Sequence, residues 1–392
     1  RADYQVRHQM MKLSRLGFIF YDDEKDRITL KDKLFYFIEA SMGKTDFDVI
    51  LFESNVKAPN QNASLNLENK DLTIFGIPNI FLSDSQNVVI VPAANKIVMK
   101  RNKNFQFDGS IKAGLITMYG SNFFFSYDSF KVNLQDIDSL RVQVMTTDRN
   151  TGAREITNIA NLIQDLTGEI LIDKPDNKSG LEDNPDYPVF RSNEYSYVYF
   201  DDPSIQGGVY DRGEVYFELD PFELDSLDNF KRQGMELVGT FESSGMLPPL
   251  EQKLTLREDN SLGFAYATPE NGLPIYNGKG TFYNDLEMSS NGLRGAGQLD
   301  YLTSVTYSDL FMFHPDSLMT TAREFAIKKQ VSGTEFPEVS SDGNKIKWFT
   351  QEEEFYADMM ETPFTMFSDT VVLRGDLLLE PRGLSGNGNM DL

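Results

Sequence analysis

Leu286-Glu287-Met288-Ser289-Ser290-Asn291-Gly292-Leu293-Arg294-Gly295-Ala296-Gly297-Gln298-Leu299-Asp300 returns further along the chain as Leu377-Leu378-Leu379-Glu380-Pro381-Arg382-Gly383-Leu384-Ser385-Gly386-Asn387-Gly388-Asn389-Met390-Asp391. The offset is 91 residues (377 − 286). Gly292/Gly383, Leu293/Leu384, Gly295/Gly386, Gly297/Gly388 and Asp300/Asp391 match in register. The register extends upstream, where Leu273, Ile275 and Tyr276 fall opposite Phe364, Met366 and Phe367. Apolar residues at every second position predict strands. Ser290-Asn291-Gly292 and Pro381-Arg382-Gly383 are turn-formers, because glycine reaches φ > 0 without steric cost. Gly295, Gly297, Gly386 and Gly388 leave one face without side chains, which predicts a Gly-rich turn, a bulge or a close backbone approach. A unit of this kind cannot bury its apolar face alone. Two architectures answer that need: β units stacked as a solenoid or open β-groove, or two similar hairpins in one large sheet.

Upstream of the repeat the same period of two recurs. Leu65/Leu67, Leu72/Ile74, Val88 to Val91, Ile97 to Met99 and Phe105/Phe107 form a ladder of short strands separated by Asn, Asp, Gly and Pro. That spacing suggests a sandwich, a barrel or a solenoid. Phe123 to Phe125, Val132/Leu134 and Leu140/Val142/Val144 continue it, and Tyr195/Tyr197/Tyr199 and Val215 to Leu219 resume it later. Ile159, Leu162, Ile163 and Leu166 stand at helical spacing and predict a helix over 157–166. Pro221 to Phe230 reads as a short helix, and Asp316 to Ile327 as a helix or an edge strand. Trp348 is expected on a half-buried strand. Residues 1–50 differ: helical patterns at Tyr4 to Leu16 and Lys31 to Ser41 flank a hairpin, with Gly17 and Gly43 as stops. The expected organisation is a helix–hairpin–helix piece (1–50), a strand ladder (51–150), a β-rich region with one helix and an acidic loop (151–270) and the repeats (271–392). The fold class expected is mainly β, an elongated stack of short strands with a small winged-helix-like N-terminal piece.

The formal charge of −23, from 37 basic and 60 acidic side chains, opposes binding to nucleic acid or an anionic surface. DNA binding through Arg7, His8, Lys12 and Arg15 is therefore disfavoured against a structural cap. The chain has no cysteine, so disulfides, thiolate metal sites and cysteine nucleophiles are excluded. It begins at Arg1 without Met and stops on the end of a repeat, which reads as a fragment of a longer chain.

Candidates for chemistry are few. The two histidines are His8 and His314. The run His314-Pro315-Asp316-Ser317 contains triad residue types, but neighbours in sequence do not assemble a triad. Paired carboxylates could run glycoside chemistry without histidine; Asp201, Asp202 and Asp211 lie near Tyr195, Tyr197 and Tyr199, which could stack on sugar rings or simply pack as cross-strand pairs. Glu352, Glu353 and Glu354 read as a solvated face. Asp173, Asp176 and Asp183 in an acidic loop offer oxygen ligands for calcium, although the spacing is not that of an EF-hand. Gly43-Lys44-Thr45 has only the tail of a phosphate loop.

Three segments resemble a group of very large uncharacterised proteins from Bacteroidetes-type bacteria: Ile28-Thr29-Leu30-Lys31-Asp32-Lys33-Leu34-Phe35, Leu171-Ile172-Asp173-Lys174-Pro175-Asp176-Asn177-Lys178-Ser179-Gly180, and Gly292 to Asp300. That resemblance implies a longer chain and supplies no catalytic residue. The strand–Gly-Leu-x-Gly-x-Gly–strand units are similar to AsmA/TamB-type envelope repeats, which hold lipid in an apolar β-groove, and the ladder at 62–116 is similar to OstA-like lipopolysaccharide-transport proteins. Together these likenesses imply the cell envelope, with other segments of a longer chain, lipid or envelope proteins as partners. The expected function is a non-enzymatic envelope scaffold or lipid-transport conduit. The alternatives are a glycan-binding or glycan-cleaving protein and an adhesin or surface-layer segment.

Overall fold

Side chains alternate across a strand, so a chain whose apolar residues recur every second position gains most by pairing into sheets with one face covered. A computed structural model describes residues 2–15, 18–22, 25–42, 50, 53–57, 60–83, 86–147, 154–178, 180, 182–227, 237–368 and 370–391. It is mainly β, with large antiparallel sheets and few helices. The chain forms two compact units. One holds Arg1–Leu140, Thr167–Asn193 and Glu223–Phe230; the other holds Arg141–Leu166, Glu194–Phe222 and Lys231–Leu392.

The first unit opens with helix α1 (Ala2–Arg15), a hairpin of Ile19–Asp22 with Arg27–Leu30, and helix α2 (Asp32–Ser41). The glycines expected to stop those helices, Gly17 and Gly43, and the run Gly43-Lys44-Thr45 lie outside the described residues. The strand ladder follows. Leu72–Phe75 pairs with Lys96–Met99, Val88–Pro92 with Phe105–Ala113, and Phe105–Ala113 with Ile116–Ser126. Alternation decides what is buried: Phe123 and Phe125 are enclosed while Phe124 is half-buried. Val189–Ser192 pairs on one side with Leu166–Leu171 and on the other with Glu223–Leu224. The helix expected from Pro221 is therefore a short strand in its described part, and residues 228–230 lie outside it.

The second unit begins as strands. Arg154–Asn158 pairs with the end of Lys131–Thr147, and Ile163–Gln164 pairs with Ser196–Tyr199. The helix expected over 157–166 does not form. Ile159, Ile163 and Leu166 are buried as the spacing required, but they reach the core from an extended chain broken at Asn161 and at Asp165, which takes φ 55°. Asn161 Oδ1 accepts from the Leu262 amide at 3.1 Å, and β-branched Thr157, Ile159 and Ile163 favour extension. Ser196–Tyr199, Val215–Leu219, Leu237–Ser243 and Leu250–Leu256 then form an antiparallel meander.

The repeats lie in one antiparallel sheet. Its strands are β1 (Leu262–Ala267), β2 (Leu273–Ile275), β3 (Gly280–Ser289), β4 (Gly292–Tyr301), β5 (Ser304–Phe313), β6 (Ser317–Ile327), β7 (Val339–Phe349), β8 (Glu354–Asp358), β9 (Phe364–Met366), β10 (Val371–Glu380) and β11 (Gly383–Asp391). The 91-residue offset holds strand for strand. Leu273 faces Phe282 as Phe364 faces Leu373. Phe264 faces Met288 as Phe355 faces Leu379. Ser289 faces Gly292 as Glu380 faces Gly383. Gly292 and Gly383 open the return strands, whereas Gly295, Gly297, Gly386 and Gly388 stand inside β4 and β11 and not in turns. The β4–β5 register shifts between Gly295 and Gly297, which is the bulge the glycines permit.

Asp316 to Ile327 is neither helix nor edge: β6 is central, between β5 and β7. Arg323 and Glu324 are both exposed, which interrupts the alternation there and imitates a helical spacing. Trp348 on β7 is fully buried and not half-buried. Its ring centroid lies 4.4 Å from Tyr301, 5.3 Å from Tyr276 and 6.4 Å from Phe355. Glycine makes room for such rings, since a Cβ on Gly295 would sit 2.6 Å from Phe282 Cζ. On Gly386 it would meet the ends of two flexible side chains, Leu373 at 3.1 Å and Leu377 at 3.3 Å, and the Asp376 carbonyl at 3.7 Å. Gly295→Val should therefore destabilise the chain by about 1–3 kcal/mol through overpacking. Gly386→Val should cost less than about 0.5 kcal/mol, as exposed sites do. Urea unfolding of the two variants checks the contrast.

Candidate functional site

A surface cluster of aromatic and charged groups grows from three strands of the second unit. Alternation on Ser196–Tyr199 turns Val198 into the core and leaves Tyr197 and Tyr199 half-buried on the other face. Antiparallel pairing brings Tyr216 opposite Tyr199 and Glu218 opposite Tyr197. Tyr197 stacks on Tyr199 with centroids 5.9 Å apart and meets Tyr216 edge-on at 5.8 Å. The Tyr199 hydroxyl donates to Asp165 Oδ2 at 2.8 Å, and the Tyr197 hydroxyl to Glu218 Oε2 at 3.1 Å. Burial and then the Asp165 bond push the Tyr199 phenol up to about 12; burial and then Glu218 raise Tyr197.

Arg212 closes the cluster. Its guanidinium lies 3.6 Å from the Tyr199 ring centroid, a cation–π contact. It stands 3.7 Å from Asp165 and 3.6 Å from Asp201, and donates to Gln164 Oε1. Asp165 and Asp201 thus share one cation, an arrangement that fixes the arginine. The loop bearing these groups is held by Tyr210, which is 1% exposed. Its hydroxyl donates to the Phe313 carbonyl at 2.8 Å and accepts from the Leu293 amide at 3.0 Å. Gln206 Nε2 donates to the Asn291 carbonyl at 2.8 Å, so the loop is fastened to the turn of the first repeat.

Of the residues expected here, the structure gathers Tyr197, Tyr199 and Asp201. Tyr195 is 55% exposed, beside the strand. Asp202 is exposed and holds the Ser204 amide and hydroxyl, which lowers its carboxyl. Asp211 is exposed and accepts from the Gly213 amide. Sequence reasoning missed Asp165, Gln164, Arg212, Tyr216 and Glu218. The apolar spacing predicts a helix at Asp165, and the others are brought in by pairing between separated segments. The only sequence signal for them is the pair of alternating tyrosine-bearing strands.

Asp173 occupies a different setting, inside the first unit. Its carboxylate is 1% exposed. Oδ1 accepts from Asn184 Nδ2 at 2.9 Å and the Lys174 amide at 2.7 Å; Oδ2 accepts from Asn177 Nδ2 at 2.9 Å and Gln86 Nε2 at 3.0 Å. Every donor points at the oxygens a calcium ion would need. Asp176 and Asp183 lie exposed, and the three aspartates do not converge. Among the described residues no group of three or more His, Asp or Glu side chains converges as metal ligands would.

The remaining candidates are dispersed. Ser317 Oγ donates to Asp316 and not to His314. Burial lowers the His314 imidazole. Glu353 stands 3.6 Å from Lys279, and Glu354 accepts from Tyr356. On the outward face of the repeat sheet a depression of about 450 Å³ has Ala265, Ala267, Ala296 and Leu310 in its lining, together with Asp285, Glu287, Asp309 and Arg294. Comparison with protein-family profiles, with curated proteins and with solved structures gave no match.

Two outcomes follow. Asp173→Ala leaves three buried amides without their acceptor and should cost about 3 kcal/mol or more, measured by urea unfolding. Tyr210, neutral in the fold with its phenol pushed up to about 12 by burial against an ordinary value of 10, contributes stability that is complete below pH 10 and lost as pH rises through 12. The urea midpoint should fall across that window, and Tyr210→Phe should shallow the fall.

Proposed function

We propose that this chain is a non-enzymatic β scaffold of the cell envelope and not a lipid conduit. The observation that carries the reading is the filled face of the repeat sheet. Phe282, Phe311, Phe313, Trp348 and Phe355 are all 0% exposed. A conduit needs an apolar trough that its own side chains leave open, because an acyl chain has to replace water there. The outward depression does not serve instead, since Asp285, Glu287 and Asp309 line it beside the alanines. The envelope location rests on the resemblances of the repeat and the ladder, and the finer picture of β units continuing in stacked register rests on the identical pairing of the two repeat hairpins. In this reading the helix–hairpin–helix piece is a structural cap.

Native mass spectrometry of the purified chain tests it. A scaffold gives the bare mass. Lipid retained in roughly stoichiometric amount and released by detergent would sink the scaffold in favour of the conduit.

The tyrosine cluster supports a second reading, glycan binding. Tyr197 and Tyr199 lie near Asp165, Asp201 and Arg212, the aromatic and planar polar groups that suit a sugar ring. A glycan array probed with the wild-type chain should give hits that Tyr199→Ala and Arg212→Ala both abolish. An empty array, or hits indifferent to those changes, would end this reading.

A further inference from the structure

The tyrosine cluster is one end of a wider face. Residues paired across neighbouring strands share a side of the sheet. The register therefore sets Gln164, Tyr197, Glu218, Thr240 and Glu251 in one row across the meander. The next row holds Tyr199, Tyr216 and Glu242. Alternation fixes which side this is: Val198, Phe217 and Phe241, which stand between these residues along their strands, are fully buried. Tyr197, Tyr216, Glu218 and Glu242 are half-buried, and Glu251 is exposed. Carboxylates dominate the face. Glu218, Glu242 and Glu251 belong to the rows, and Asp165 and Asp201 stand beside them through Tyr199 and Arg212. Against these five are two cations, Arg212 and, two residues beyond Glu251 on the same strand face, Lys253.

Arg212 is already committed, since it lies on the Tyr199 ring and between Asp165 and Asp201. The protein itself thus seats a cation on a tyrosine with carboxylates at its edge, the arrangement in which ring and acid both attract positive charge. Tyr216 repeats the setting without the cation. Glu218 flanks it along the strand and Glu242 across the ladder. We infer that the glycan this face takes is cationic, an oligosaccharide of amino sugars whose nitrogens are free ammonium groups. The C–H faces of such a sugar suit the rings of Tyr197 and Tyr216, and its ammonium groups suit Glu218 and Glu242. An acidic sugar meets the excess of carboxylates and is repelled, because the one arginine is shared by two aspartates. A neutral sugar gains the rings and leaves the acids unused. The inference rests on the glycan reading of the cluster and names the class of sugar within it.

The test uses the full chain and two tetrasaccharides of one backbone, the β-1,4-linked glucosamine tetramer and its fully N-acetylated counterpart. Calorimetric titration is run at about pH 6, below the ordinary pKa of an amine. The glucosamine tetramer should bind at least about tenfold more tightly than the acetylated one. Glu242→Gln alone should reduce that preference at least about threefold, and Glu218→Gln with Glu242→Gln should bring the two ligands within about twofold. Both changes keep the shape of the side chain. Equal binding of the tetramers, tighter binding of the acetylated one, or a preference that survives the glutamate changes would overturn the inference and leave glycan binding standing. Binding of neither tetramer overturns it as well, and an empty glycan array beside that result removes the glycan reading itself. A tetralysine peptide that matches the glucosamine tetramer would give the face to a basic polypeptide and overturn the inference likewise.

Discussion

Large aromatic side chains in a sheet core need space, and in the repeat sheet glycine supplies it. Gly295 leaves room for Phe282, and Gly280 for Trp348, whose Cη2 would lie 2.9 Å from an added Cβ. Much else follows from that exchange. Tyr276 and Tyr301 close around Trp348 and spend their hydroxyls on backbone carbonyls, Tyr276 on Ser317 and Tyr301 on Glu353. Those bonds fix the turns between strands, and the turns fix register. Interiors packed at crystal density respond to single methyl groups, so Gly280 and Gly295 are held at their positions by the rings beside them.

The strand pattern was legible because period-two alternation has few imitators over long runs, and the 91-residue repeat was legible because its glycines have defined tasks. Two segments misled. Residues 157–166 place apolar groups at helical spacing, yet Asn161 and Asp165 let an extended chain deliver the same groups inward. Residues 316–327 slip in phase at Arg323 and Glu324, which blurs a central strand. The tyrosine cluster was half legible. Tyr197, Tyr199 and Asp201 stand close in sequence, whereas Asp165, Arg212 and Glu218 reach them only through pairing, and pairing is not written in local spacing.

The two aspartate environments show how differently a carboxylate can be employed. Asp173 is enclosed by side-chain amides and a backbone amide, all donors, so its charge is spread over hydrogen bonds inside the first unit. Asp165 and Asp201 lie near the surface and share the single positive charge of Arg212, which also covers Tyr199. The first arrangement stabilises a loop by burial. The second keeps a polar surface in one geometry while leaving it wet, and exposed ion pairs of this kind contribute little to stability.

The strand Glu223–Leu224 belongs to the first unit, where it pairs with Phe190 and Arg191. Between that partner and itself the chain lays down Glu194–Phe222, which belongs to the second unit. On a ribosome adding about 5–20 residues per second, the first unit therefore cannot complete itself as it emerges. It waits, with the edge of Val189–Ser192 unpaired, while part of its neighbour is synthesised. The two units are interleaved in time as well as in sequence, and their order of maturation is set by the threading of the chain and not by the position of either unit along it.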